Sequence, residues 1–183
     1  MPLTTYAEAR PWARAIREEV LTRRMPKWHA ARGYGDFSND PSLSPFEIAL
    51  IVAWADGGAP LGTDADLRNE DGRRKTEERR SGGREVPLAC RDQPLPEGLL
   101  LALRPSLPAG ESLGLAVSGR DGRTEVLAWI RDFDPEFATT YLLRRPLDLP
   151  PGSRLIAHYS GRGLSAPCTI HLRLEAPRSQ KAR

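Results

Sequence analysis

The side chains that could carry chemistry in this chain are Met25 beside Pro26, His29, His158, His171, Cys90, Cys168 and the acidic group Asp132, Asp134 and Glu136. A thioether at a helix end is, on spacing alone, core filler. His158 and His171 fall on separate predicted strands, and neither has a carboxylate at ligand spacing, so both read as ordinary strand histidines. Cys168 and His171 would point to opposite faces of an extended segment. His29 lies too close to Met25 to approach a shared ligand from the opposite face, and it reads as a surface or loop-packing histidine. Asp132, Asp134 and Glu136 have no partner placed opposite them and read as a solvated loop. Cys90 and Cys168 leave two outcomes open: one disulfide joining the ends of the second domain if the chain is exported, or two buried thiols. No Ser-His-Asp or Cys-His nucleophile set, phosphate-binding glycine loop or zinc motif is present, and no catalytic activity is expected of the chain as written.

Two helical patterns must position Met25. Thr5-Tyr6-Ala7-Glu8 is a capping box, and Ala9, Trp12, Ala13, Ile16 and Val20 then recur at helical spacing. Pro11 predicts a kink or a fresh helix start. Ser44-Pro45-Phe46-Glu47 opens a second helix with the stripe Ile48, Ile51, Val52 and Ala55, and Gly57-Gly58 with Pro60 ends it.

Between and within these helices stand Thr5-Tyr6, Ala9-Arg10-Pro11-Trp12-Ala13, Arg24-Met25-Pro26-Lys27-Trp28, Gly33-Tyr34-Gly35, Phe37-Ser38-Asn39-Asp40 and Val52 to Pro60. In that order they resemble the second half of bacterial c-type cytochrome-like domains, which occur in exported multidomain proteins. The resemblance covers about a third of the chain. It implies that Met25, followed by Pro26, descends from the sixth ligand of a haem c iron, and that Trp12, Trp28, Tyr34 and Phe37 cradle the haem edge. A thioether ligand raises the haem potential and suits electron transfer, so a redox partner protein is the implied partner. The C-x-x-C-H attachment motif is absent from this chain, so it cannot attach haem covalently as written.

Hydrophobic residues make up 39% of the chain and charged residues 28%, which is globular composition. No apolar run reaches membrane-spanning length. The net charge is +3, but arginines interleave with acids and form no basic stripe with aromatics, so nucleic-acid binding is not expected. The family implies a periplasmic or exported protein. Met1 leads directly into a capping motif with no signal peptide, which implies a cytoplasmic location if that start is genuine, or else a chain that starts late.

After Pro60 the text turns almost wholly charged, and residues 61–84 read as a flexible linker. From Glu85 the period becomes two. Leu99–Leu103, Leu113–Val117, Glu125–Ile130, Thr139–Leu143, Arg154–Tyr159 and Cys168–Leu174 are predicted strands, with a hairpin turn at Asp121-Gly122. The expected fold is α+β and multidomain: a small cytochrome c-like helical segment (1–60), an antiparallel, jelly-roll-like β-sandwich (85–177) and a disordered tail (178–183). Arg120 to Leu127, Trp129, Asp132-Phe133-Asp134, Thr140-Tyr141, Arg145-Pro146-Leu147, Leu149 to Arg154 and Ala157-His158-Tyr159 are similar to the C-terminal jelly-roll of copper type II, ascorbate-dependent monooxygenase-like proteins. That family binds one copper through an H-x-H pair and a later methionine. Here Ala116-Val117-Ser118-Gly119 precedes the turn, and no methionine follows His158, so copper is not expected.

Overall fold

The computed structural model describes residues 3–62, 82–160 and 167–176. Most of the expected linker and the expected tail lie outside these residues. The chain divides into two units, and both are described separately: residues 3–28 with 41–62, and residues 29–40 with 82–160 and 167–176.

The first unit is helical. Thr5 caps α1 (Tyr6–Ala9) through the expected box, with Glu8 reaching back to the Thr5 N–H. Pro11 lacks the N–H an α-helix interior requires, and the chain tightens into a 3-10 turn at Arg10–Trp12 before α2 (Ala13–Leu21). The second capping box, Ser44 with Glu47, opens α3 (Pro45–Asp56). Gly57 and Gly58 close α3, with Gly58 at φ +84° where a Cβ would be strained. α2 packs on α3, Arg17 pairs with Asp56 at 2.8 Å, and the Tyr6 hydroxyl donates to the Ala59 carbonyl at 2.8 Å.

α3 is apolar nearly all round, yet none of its residues is buried. Ile48, Ile51, Val52 and Ala55 are half-covered, while Phe46 (70% exposed), Leu50 and Ala53 form an outer apolar stripe at i, i+4 and i+7. No helix among the described residues is long and apolar enough to cross a membrane.

The second unit is a β-sandwich. Its eight described strands are β1 (Arg84–Ala89), β2 (Gln93–Pro94), β3 (Gly98–Ser106), β4 (Leu113–Ser118), β5 (Thr124–Ile130), β6 (Tyr141–Leu149), β7 (Arg154–Tyr159) and β8 (Thr169–Glu175). They form two antiparallel sheets, ordered β1-β8-β3-β6 and β2-β7-β4-β5. Leu113, Leu115 and Val117 are buried and alternate with half-covered neighbours, as a strand with one core face requires. Leu100, Leu103, Leu113, Leu115, Ile130, Leu149, Leu155, Ile170, Leu172 and Leu174 fill the interior. β3 runs through Pro105, where a strand end was expected. Its pairing with β6 stops at Leu103↔Tyr141, so at Pro105 only β8 remains as a neighbour.

Two findings bear on the expected organisation, the first deciding between the two outcomes open for the cysteines. Cys90 and Cys168 are bonded, with Cα atoms 5.5 Å apart, and join the end of β1 to the chain entering β8. Residues 29–40, expected within the helical segment, belong to the sandwich. They run as a strap across one edge of each sheet. Ala30 bridges to Ile130 at the β5 edge, and Phe37 bridges to Leu143 at the β6 edge.

Candidate functional site

The Met25 loop is held by the end of α2. Arg23 takes a left-handed turn at φ 56°, and the N–H groups of Arg24 and Met25 both donate to the Glu19 carbonyl, at 2.9 and 3.3 Å. Arg24 also pairs with Glu18 and Glu19, at 3.2 and 2.9 Å. The thioether side chain of Met25 is 44% exposed and Trp12 is 47% exposed, so neither is core filler. Pro26 and Trp28 are half-covered.

Tyr34 and Phe37 belong to the sandwich unit. Phe37 is 5% exposed, and its ring lies 5.2 Å from that of Tyr141, a fully buried side chain of β6. Tyr34 rests on Trp129 of β5, with ring centroids 5.3 Å apart. Backbone bonds fix both ends of the strap. The Ala31 N–H donates to the Trp129 carbonyl at 2.7 Å, and the Arg131 N–H donates to the His29 carbonyl at 2.9 Å. On the other edge the Ser38 N–H donates to Leu142 at 2.8 Å, and the Arg144 N–H to Asp36 at 2.9 Å. The Asn39 amide spans two strand positions, donating to the Thr140 carbonyl and accepting from the Leu142 N–H. These bonds satisfy edge groups that would otherwise be open to foreign strands.

His29 is buried at the start of the strap, its ring 5.3 Å from Phe133. Its Nε2 accepts from the Asp134 N–H at 3.3 Å, which places the neutral ring's proton on Nδ1. Burial pushes the Tyr141 phenol well above its ordinary value, against a smaller opposing effect of a hydrogen bond to the His29 backbone. The folded state therefore favours the neutral phenol. Its contribution is complete below about pH 10, where the unfolded side chain begins to ionise, and falls by roughly 1.4 kcal/mol per pH unit above that. Urea midpoints measured from pH 9 to 11 should drop, and Tyr141→Phe should flatten the drop.

The strap also makes one wall of a cavity of about 320 Å³. Gly35 and Asp36 face Glu125, Val126 and Leu127 of β5 and Leu143, Arg145 and Leu147 of β6. Gly35 sits at φ +83°, and a Cβ there would strike the Leu127 carbonyl and the Phe37 ring. Gly35→Ala is expected to cost about 1–3 kcal/mol from the strained conformation, with steric displacement of the strap added. Loss of the Tyr34–Trp129 ring contact, followed by Trp129 fluorescence, would report it.

The remaining expected residues are placed as follows. Asp134 caps the short 3-10 turn Pro135–Phe137, its Oδ1 accepting from the Glu136 N–H at 3.1 Å. His171 Nδ1 lies 2.8 Å from Glu85 and His158 stands opposite Gly114 on the β4–β7 pair. Cys168 is in the disulfide and offers no thiolate. Among the described residues, no three His, Cys, Asp or Glu side chains are grouped to hold a metal ion.

The six residues expected around a haem are divided between the two units. Met25, Pro26, Trp12 and Trp28 belong to the helical unit, while Tyr34 and Phe37 are structural parts of the sandwich. Phe37 is buried against the Tyr141 ring, and His29 accepts from the Asp134 N–H. The residues that sequence reasoning missed are Gly35, Asn39, Glu125, Tyr141 and Arg145. Only Gly33-Tyr34-Gly35 signalled a special backbone, and nothing in it named β5 and β6 as partners. No protein-family model matches this chain, and no curated protein matches it.

Proposed function

We propose that this chain is a haem-free, non-enzymatic binding module whose ligand enters at the side of the β-sandwich. The observation that carries it is the role of residues 29–40. The segment whose aromatic residues were expected at a haem edge lies along the β5 edge of one sheet and the β6 edge of the other, and it walls a cavity. Its lining mixes apolar side chains with the charged groups Asp36, Glu125 and Arg145, a combination that can orient a small molecule. We read the sandwich as jelly-roll-like, on its resemblance over residues 120–159. The Cys90–Cys168 bond supports an oxidising, periplasmic or extracellular location. A ligand screen by two-dimensional NMR on the full chain tests the proposal. At least one class of small molecule should shift the amides of residues 35–36, 125–127 and 143–147, while added haem leaves the Met25 methyl signal unmoved. Haem shifting Met25, with nothing moving the cavity amides, would overturn it.

A second reading, a cytochrome c-like electron-transfer protein or its remnant, is favoured by the exposure of Met25 and Trp12. An upstream segment ending in C-x-x-C-H, fused to this chain, tests that reading. Haem attached there should show the weak near-infrared absorption of thioether ligation, and Met25→Ala should abolish it and lower the reduction potential. A band and potential unchanged by Met25→Ala would make Met25 an ordinary surface side chain.

A further inference from the structure

The cavity is a built feature. In the β4–β5 pair Leu115 faces Ala128 and Ala116 faces Val126, so Leu127 is an extra residue that bulges β5. In the β3–β6 pair Leu100 faces Leu147 and Ala102 faces Leu142, so residues 143–146 stand opposite Leu101 alone. Such irregularities re-aim side chains, and both of these line the same cavity, from the edge strands of different sheets. Gly35 brings the strap against the Leu127 bulge and completes the wall.

The charges at the cavity divide into an ion-paired carboxylate and two solvent-exposed groups, Glu125 and Arg145. Asp36 is held by Arg144 Nε at 2.8 Å. Among the described residues, no ion pair or side-chain hydrogen bond engages Glu125 of β5 or Arg145 of β6, although both line the cavity. Val126, Leu127, Leu143 and Leu147 line the same cavity and supply its apolar part.

We propose that this cavity binds a free α-amino acid with an aliphatic side chain. Arg145 would hold the carboxylate through its two-pronged guanidinium. Glu125 would hold the ammonium group, and the aliphatic side chain would cover Val126 and the leucines. A dianion would meet Glu125, and a dication would meet Arg145, so the pair selects against both. A volume near 320 Å³ is at the small end for ligand pockets, which suits a molecule of this size.

The inference rests on the binding-module reading and deepens it. Its test is NMR titration of the full chain with L-leucine, N-acetyl-leucine, leucinamide and glycine. L-leucine should shift the amides of residues 35–36, 125–127 and 143–147 saturably. Each of the other three should bind about tenfold more weakly or worse, having lost one charge-assisted contact or the apolar body. Arg145→Met should erase the preference for leucine over leucinamide, and Glu125→Gln the preference over N-acetyl-leucine. Both side chains are exposed, so the variants keep the fold. Equal binding of leucine and glycine, or a carboxylate preference that survives Arg145→Met, would overturn the inference. Saturable shifts from another compound class with none from leucine would overturn it while sustaining the binding module. Silence from every class would overturn both.

Discussion

Phe37→Ala should destabilise the β-sandwich unit by about 3–5 kcal/mol, the usual cost of emptying a buried aromatic site. The ring is 5% exposed and packs on Tyr141, and its backbone bridges to Leu143, so the substitution opens a hole and loosens the strap. Met25→Ala and Trp12→Ala, at exposed positions, should leave the sandwich within about 0.5 kcal/mol of the parent. Urea unfolding followed through NMR signals of Leu103, Ile130 and Leu172 separates these outcomes. Phe37→Leu, which retains apolar volume, should recover much of the loss. A sandwich indifferent to Phe37→Ala would mean that residues 29–40 are not part of its core.

Replacing Cys90 and Cys168 together by alanine should lower the stability of the same unit by about 4 kcal/mol. The bond closes a loop spanning a separation of 78 residues, and a loop of that length removes much entropy from the unfolded chain. Thermal unfolding with and without reductant gives the same comparison without mutation. The helical signals of Ala13 and Val20 should respond to neither treatment. A midpoint unmoved by reductant would show that the link contributes nothing beyond what the β1–β8 ladder already supplies.

What was legible in the sequence was local chemistry. Thr5 with Glu8, and Ser44 with Glu47, announce helix starts because a cap and its reciprocal carboxylate act within one turn. Leu113 to Ser118 announces a strand because alternation is a property of the strand itself. Asp121-Gly122 announces the β4–β5 hairpin for the same reason, with Gly122 at φ 76° and the Asp121 carboxylate accepting from the Arg123 N–H. The strap was not legible, because its bonds are made with strands far along the chain and its own residues carry no strand period. Phe37 and Tyr34 were read with their neighbours in sequence, near Trp28, whereas their partners in space are Tyr141 and Trp129. The candidate cavity was hidden for a related reason. It depends on bulges in two edge strands, and a bulge is a relation between strands.

The strap has a further consequence for how the chain is made. Synthesis proceeds from the N-terminus, so residues 29–40 leave the ribosome well before β5 and β6 exist. Ser38 must wait for Leu142, 104 residues behind it. At about 5–20 residues per second the delay is roughly five to twenty seconds. Throughout that interval Phe37 and Ala30 are exposed to solvent, to chaperones and to neighbouring nascent chains. Conversely, a chain that began at residue 85 would emerge with the β5 and β6 edges bare and nothing of its own to cover them. In the full chain on a crowded polysome, a strap still waiting for its own β5 and β6 meets those of a neighbouring copy, and exchange of this segment between copies becomes the natural error of assembly.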